Sequence, residues 1–381
     1  MIASKNKYCT SVRRLAALPL YLLILCFLLL IPTGFEKKIY FNAEGSVAKV
    51  IDVDNSTIFN TGIFNQGEQR LRVKLLSGSN KNLEIDAVNL LNGSLESDKI
   101  FSQGDTAWVL VERDKDDNPI SVIAVDRWRC SRELICLAIF VIALALFVGS
   151  GCISILLSFT MAFLFSWKVL VPLTLKGYNP MLLSALVLTA LTLITIPLVS
   201  GFNKRSLGAI LGALASNIVV ALLAIMASSY LMLDGYTLNG SESLLYSGFL
   251  NLDIYSIFTG VILLSSGGAV MDLSVDVAAS MKEVYEHTPT IDKRELFYSG
   301  LRVGRAGLGT QVTTLLLAYM SSYLTVFMVY MAQGTPVINI LTSKMIASEI
   351  AQTLVGCMGL IFVTPLTAIF CVICFYKINN R

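Results

Sequence analysis

The stretch SSGGAVMDLSVDVAASMKEVYEHTPTIDKRELFYSGLRVGRAGLGTQVTT, residues 265–314, decides how this chain is read. It begins in one apolar run, crosses a charged loop and enters the next. Asp272 and Asp276 stand one helical turn apart where the first run leaves hydrocarbon, and Arg302 and Arg305 stand where the second begins. Ionisable groups at membrane depth are costly, so they face a bundle interior, pair with one another or line a polar path. At about 100° per residue, Ser265, Gly268, Asp272, Asp276, Ser280 and Glu283 share one helical face, so the first helix continues into the cytoplasm with a polar stripe. Arg302, Arg305, Gly309 and Thr313 share a face of the second helix, which could turn toward the acids. An Asp–Arg pair there would be a gate or a fixed structural tie, and the tie is the safer assumption. Asp292 and Glu295 read as a capping pair for a short cytoplasmic helix, DKRELFYSGL, able to slide along the membrane surface.

Composition sets the frame around this stretch. A hydrophobic fraction of 55% and a charged fraction of 14% over 381 residues, with a mean hydropathy of +0.70, lie outside the range of soluble domains and indicate a polytopic membrane protein. The net charge of +3 is too small to suggest nucleic-acid binding, and the basic residues cluster at the ends of apolar runs, where the bilayer accounts for them. The sequence points to no nucleic-acid partner.

Lys5, Lys7, Arg13 and Arg14 precede an apolar run at residues 15–32. No small-x-small cleavage pattern follows, so an uncleaved anchor with a cytoplasmic N-terminus is preferred to a signal peptide. Residues 36–132 change character: SVAKVIDV, QRLRVKLL, NLEIDAV, AWVLVE and SVIAV alternate with period two between turn clusters such as SGSNKN and DKDDNP. This predicts a small antiparallel β domain, specifically an OB-like barrel. Asp114, Asp116 and Asp117 form an acidic turn without the glycine and terminal glutamate of a calcium loop, and read as a solvated hairpin tip.

Beyond residue 132 the chain is almost entirely apolar. Spans fall near 133–148, 152–173, 181–199, 207–233, 254–270, 307–331 and 345–376, which with the first anchor makes about eight transmembrane helices. The expected domains are residues 1–35 (tail and first helix), 36–132 (extracytoplasmic β domain) and 133–381 (seven-helix bundle, with a cytoplasmic loop at 271–305). With both termini cytoplasmic, Lys204, Arg205, Lys282, Lys293, Arg294 and Lys377 all fall on the positive side. Arg127, Arg129 and Arg132 break that pattern unless they pack on the β domain. Gly208 with Gly212, and Gly300 with Gly304, mark close helix packing, and Gly309 belongs with them. Asn217, within a span, must find a partner or water, as structural glue or ligand contact. Glu349, with Gln352 one turn later, adds a third acidic position near the outer face, where snorkelling to water competes with a transport role. Pro365 is expected to kink the last helix.

No metal or cofactor site is expected. Cys371 and Cys374 form a CxxC by spacing, but they sit in the last apolar run and read as small apolar residues. His287, the single histidine, has no evident ligand partners. No GxxxxGK[ST] loop occurs, and no nucleophile–base pair or zinc motif suggests an enzyme.

The runs GGAVMDLSVDVAASM, GLRVGRAGLGTQVTTLLLAY and ASEIAQTLVGCMGLIFVTPLTAI, together with LKGYNP, GFNKRSLGAILG, FSQGDTAWVLVE and VDRWR, resemble the YibE/F family of bacterial multi-pass membrane proteins. The resemblance covers most of the chain and implies a bacterial plasma-membrane protein of this architecture, of a kind labelled a permease. Asp272, Arg305, Gly309, Thr310, Thr314 and Glu349 stand where the family pattern has the same residue. Ala306 stands where the family has Asp, Thr313 where it has Asn, and Asp276 where it commonly has Ser, which puts a direct transfer of an ion site in doubt. The leading expectation is a secondary transporter of a small solute or ion. Its ion-site candidates are Asp272, Asp276, Arg302, Arg305, Thr310, Thr313, Thr314 and Glu349. The alternative is a sensor or assembly scaffold whose β domain binds a ligand or partner. The bilayer is the one certain partner; a second membrane subunit or a second copy of the chain stays open, and the substrate is unnamed.

Overall fold

The computed structural model describes residues 19, 21–35, 43–114 and 119–377. The basic flank from Lys5 to Arg14 and the Asp116–Asp117 turn lie outside them. The chain divides into two compact units, Glu36–Gly149 on one side and Met1–Phe35 with Ser150–Arg381 on the other.

The first of these is a β-barrel followed by a helix. Its strands are β1 (Ala43–Asp54), β2 (Ile58–Asn60), β3 (Asn65–Leu75), β4 (Glu84–Asn92), β5 (Thr106–Arg113) and β6 (Pro119–Arg127). The order β1-β5-β6-β4-β3 is closed by pairing of β3 back onto β1, with β2 as a short flap on β3. All pairings are antiparallel except β4 with β6, parallel at Val88 opposite Ile123. Strand β1 serves two neighbours, and a bulge between Val50 and Asp52 bends it round the corner. The alternation seen in the sequence is the inside–outside alternation of the barrel: Gln69, Leu71, Val73 and Leu75 of β3 all point inward.

Two of the inward polar residues, Gln69 and Asn89, clip a loop. The Gln69 amide donates to the Phe101 carbonyl at 2.9 Å and accepts from the Phe101 N–H at 2.9 Å. The Asn89 amide donates to Gln69 at 3.0 Å and to the Lys99 carbonyl at 2.6 Å. Phe101 is thereby seated in the core at 1% exposure. Two of the three arginines that disturbed the charge pattern are held by the barrel: Arg127 donates to the Ile100 carbonyl at 2.7 Å, and Arg129 pairs with Asp126 at 3.0 Å, while Arg132 is exposed in the helix that follows. After them α2 (Cys130–Val148) buries none of its residues.

The second unit is a helical bundle. It comprises α1 (Tyr21–Leu30), α3 (Cys152–Leu164), a π turn at Phe165–Leu170, α4 (Val171–Leu175), α5 (Pro180–Ser200), α6 (Lys204–Tyr230), α7 (Ser241–Tyr246), α8 (Ile254–His287), α9 (Lys293–Ser322), α10 (Leu324–Ala332), α11 (Val337–Thr342) and α12 (Lys344–Lys377). Local chemistry sets the starts. Asn179 accepts from the Leu182 N–H with Pro180 at the first helical position, and Asp253 and Asp292 accept from Ser256 and Arg294. A large apolar cluster, with Ala213, Val270, Leu273, Met281, Leu360 and Val363 among its members, fills much of the interior.

Helix α12 packs against α6, α8 and α9, and glycine sets the distances. A Cβ on Gly212 would come within 2.2 Å of the Thr367 hydroxyl, and one on Gly304 within 2.1 Å of the Thr364 methyl. Gly208 and Gly300 are crowded too, their Cβ positions each 2.6 Å from a sulfur, of Cys371 and of Met281. Gly309 is not: among the described residues nothing lies within 4 Å of its Cβ position.

Among the described residues, six helices are long and apolar enough to cross a membrane, and a seventh span results if α9 and α10, bent by 58°, count as one. Two expectations change here. DKRELFYSGL is no separate sliding element but the first turns of the continuous 30-residue helix α9. The expected span at 307–331 is broken at Tyr323, where the backbone leaves helical geometry. Helix α12 runs unbroken through Pro365.

Candidate functional site

Depth is the first property a membrane site needs. The Ser216 hydroxyl donates to the Gly359 carbonyl at 3.0 Å, and a Cβ on Gly359 would meet Val220 at 2.5 Å and Val270 at 3.4 Å. Val270 therefore lies level with the middle of α6, a helix of 27 residues. Asp272 follows at about 3 Å and Asp276 at about 9 Å along the axis, both inside a hydrocarbon half-thickness of about 15 Å.

At that depth the acids face outward. Asp272 and Asp276 are both exposed, as are Arg302, Arg305, Thr310, Thr313 and Thr314. Among the described residues no ion pair joins either aspartate to either arginine, so the expected tie is not made within one copy. Helix geometry gives the reason. Gly300 and Gly307 are on the side of α9 that meets α8, the Gly307 Cβ position 3.1 Å from Leu273. Arg305, two residues earlier and about 200° round the helix, lies on the flank turned away from α8. The three threonines satisfy their hydroxyls on their own helix, Thr310 to Gly307, Thr313 to Gly309 and Thr314 to Thr310, at 2.9–3.0 Å.

The acid that does face inward is Glu349. Its residue is 6% exposed, and its Oε1 is buried with no hydrogen-bond partner among the described residues. The snorkelling expectation fails because the connection after α6 covers this end of α12. Lys344 pairs with Asp234 at 2.5 Å, the Thr237 and Ser348 hydroxyls meet at 2.8 Å, and Leu233 is buried beneath them. At Asp234, partial desolvation works upward, but the Lys344 ammonium and the Tyr236 N–H outweigh it and hold the carboxyl below its usual range.

Around Glu349 the bundle places further polar groups. One turn along α12, the Gln352 amide donates to the Ser265 hydroxyl of α8 at 3.2 Å. The Tyr319 hydroxyl, from α9, sits beside both without a well-formed hydrogen bond and 3.6 Å from where a Cβ on Gly356 would stand. Tyr323 follows one turn later, where α9 ends. A carboxylate, an amide, a hydroxyl and two phenols contributed by three helices can hold a proton or a small cation at oxygen, or pass either between neighbours. Sequence reasoning missed the tyrosines. Their signal was the four-residue spacing in LLLAYMSSYLTVF, which puts both phenols on one face of an otherwise apolar run. Asn217, at mid-span on α6, is buried with both amide atoms unpartnered among the described residues.

No curated protein and no solved structure matches the chain. The family described as YibE/F-like protein matches residues 136–377. That interval includes most of α2, every helix from α3 to α12, the outward acids and the Glu349 cluster. With close to two thirds of its length matched and its long apolar helices, this multi-pass membrane protein belongs to the YibE/F-like family.

Proposed function

We propose that the chain is a secondary transporter, a permease subunit for a small solute or ion, with Glu349 as its proton or cation site. The supporting observation is a carboxylate inside the bundle with one oxygen unpartnered and Tyr319, Gln352 and Ser265 gathered around it. Intramembrane acids that face an interior mark ion or proton paths. In this reading the Asp234–Lys344 clasp is the outer gate, and the chain performs no covalent chemistry of its own. The first span completes eight, the membrane is the bacterial plasma membrane, and both termini are cytoplasmic, as the basic loops favour. The barrel is then extracytoplasmic. Its strand order, with one parallel pairing between the third and fifth barrel strands, supports an OB-like assignment.

One observation favours a sensor or scaffold role for the barrel instead. Phe59, Ile63 and Leu95 are 71%, 76% and 72% exposed, and they sit about the β2–β3 hairpin and the end of β4, as a docking surface would.

The test is dissipation of a pH gradient. Vesicles holding the protein and an acridine reporter are acidified inside, then challenged in turn with sodium, potassium, magnesium and manganese salts. Dequenching with at least one cation, lost in Glu349→Gln, supports the reading. No response to any cation, with partner binding that depends on Phe59 and Ile63, points to the scaffold role.

A further inference from the structure

The face of α8 and α9 that carries the outward charges is incomplete in a single copy. Asp272 and Asp276 lie within the hydrocarbon depth, exposed and, among the described residues, without a cation, and α9 buries only Leu296, Gly300 and Gly304 of its 30 residues. Charges left in that position against lipid are strongly disfavoured, and the usual relief is burial against another helix with pairing. What would cover this face must bring guanidinium groups to the acids and acids to the guanidinium groups.

We propose that a second copy of this chain covers it, forming a two-fold dimer in which Asp272 and Asp276 of each copy pair with Arg302 and Arg305 of the other. Three features of the face support that occupant. The patch carries two acids and two arginines and is complementary to itself, as a two-fold interface requires. Depth also matches. Gly300 lies against Met281 and Gly307 against Leu273 in the antiparallel pair, which places Arg305 level with Asp276 and Gly309 level with Asp272. A two-fold axis along the membrane normal keeps every residue at its own depth, so Asp276 and Arg305, at equal depth, meet across it, with Asp272 and Arg302 about one turn to either side. Finally, the arginines sit on the flank of α9 turned away from their own α8, where they reach the α8 of a copy rotated against this face. Gly268 and Gly309, with nothing within 4 Å of their Cβ positions, allow the helices to approach closely. The inference stands apart from the transport reading, since Glu349 lies in the interior of one copy.

The experiment uses the full chain, purified alone and reconstituted in liposomes at low protein density, with donor- and acceptor-labelled copies mixed. Wild type is expected to show energy transfer between copies. Asp276→Arg and Arg305→Asp, each alone, are expected to weaken association about tenfold, or about 1.4 kcal/mol, and the two together to restore it. A second arm places Gly268→Cys on one tagged copy and Thr313→Cys on another, and oxidation is expected to give a covalent species bearing both tags. A monomeric wild type overturns the proposal and points to a different subunit. A cross-link from Gly268→Cys to α2 of the same chain overturns it too. Failure of the double swap to rescue, with the single swaps still folded, would contradict the cross-copy pairing.

Discussion

Glu349 and Asp272 are both acids in apolar runs, yet the fold gives them opposite surroundings. What separates them is which flank of a helix another segment happens to cover. For Glu349 the covering segment starts at Asp234, more than a hundred positions away in the chain, and periodicity carries no information about it. The glycines were more legible, because small residues at four-residue spacing have few other uses in a span. Gly304→Val should separate α9 from α12 at the Thr364 contact and cost about 1–3 kcal/mol, read as a lowered unfolding temperature in detergent. In the barrel, Asn89→Ala should release the Lys99–Phe101 segment, at about 1–3 kcal/mol for the polar groups left unpaired. Limited proteolysis of the intact protein would show the nick near residue 99.

At the scale of elements, the β strands were readable because period-two alternation is a barrel wall written linearly. The helices were readable in number better than in extent: charged turns at the start of α9 looked like a separate surface helix, but Asp292 caps a helix that simply continues into the bundle. The Asp234–Lys344 clasp is an element-level device with a pH signature. Its folded-state carboxyl is held below the unfolded value of about 3.9. The clasp therefore contributes fully above that value and is lost as pH falls through the depressed one. Both side chains are about half exposed, so the contribution is at most about 1 kcal/mol. Hydrogen exchange at residues 234–240, corrected for intrinsic rates, should rise in that acid window in wild type. In Asp234→Asn it should be raised at neutral pH already.

At the scale of the molecule, composition alone announced a membrane protein and the mid-chain charges announced where polarity enters it. Neither could say whether those charges face inward or outward, because that depends on the arrangement of α8, α9 and α12 together. The resulting picture is a bundle with one acid sealed inside and an outward charged face that invites a second copy. The most direct test of the inward acid is infrared difference spectroscopy of the protein in nanodiscs, perfused alternately at two pH values and with or without cation. The account predicts a carboxyl band that Glu349→Gln removes and Asp272→Asn leaves in place. A spectrum unchanged by Glu349→Gln would contradict it.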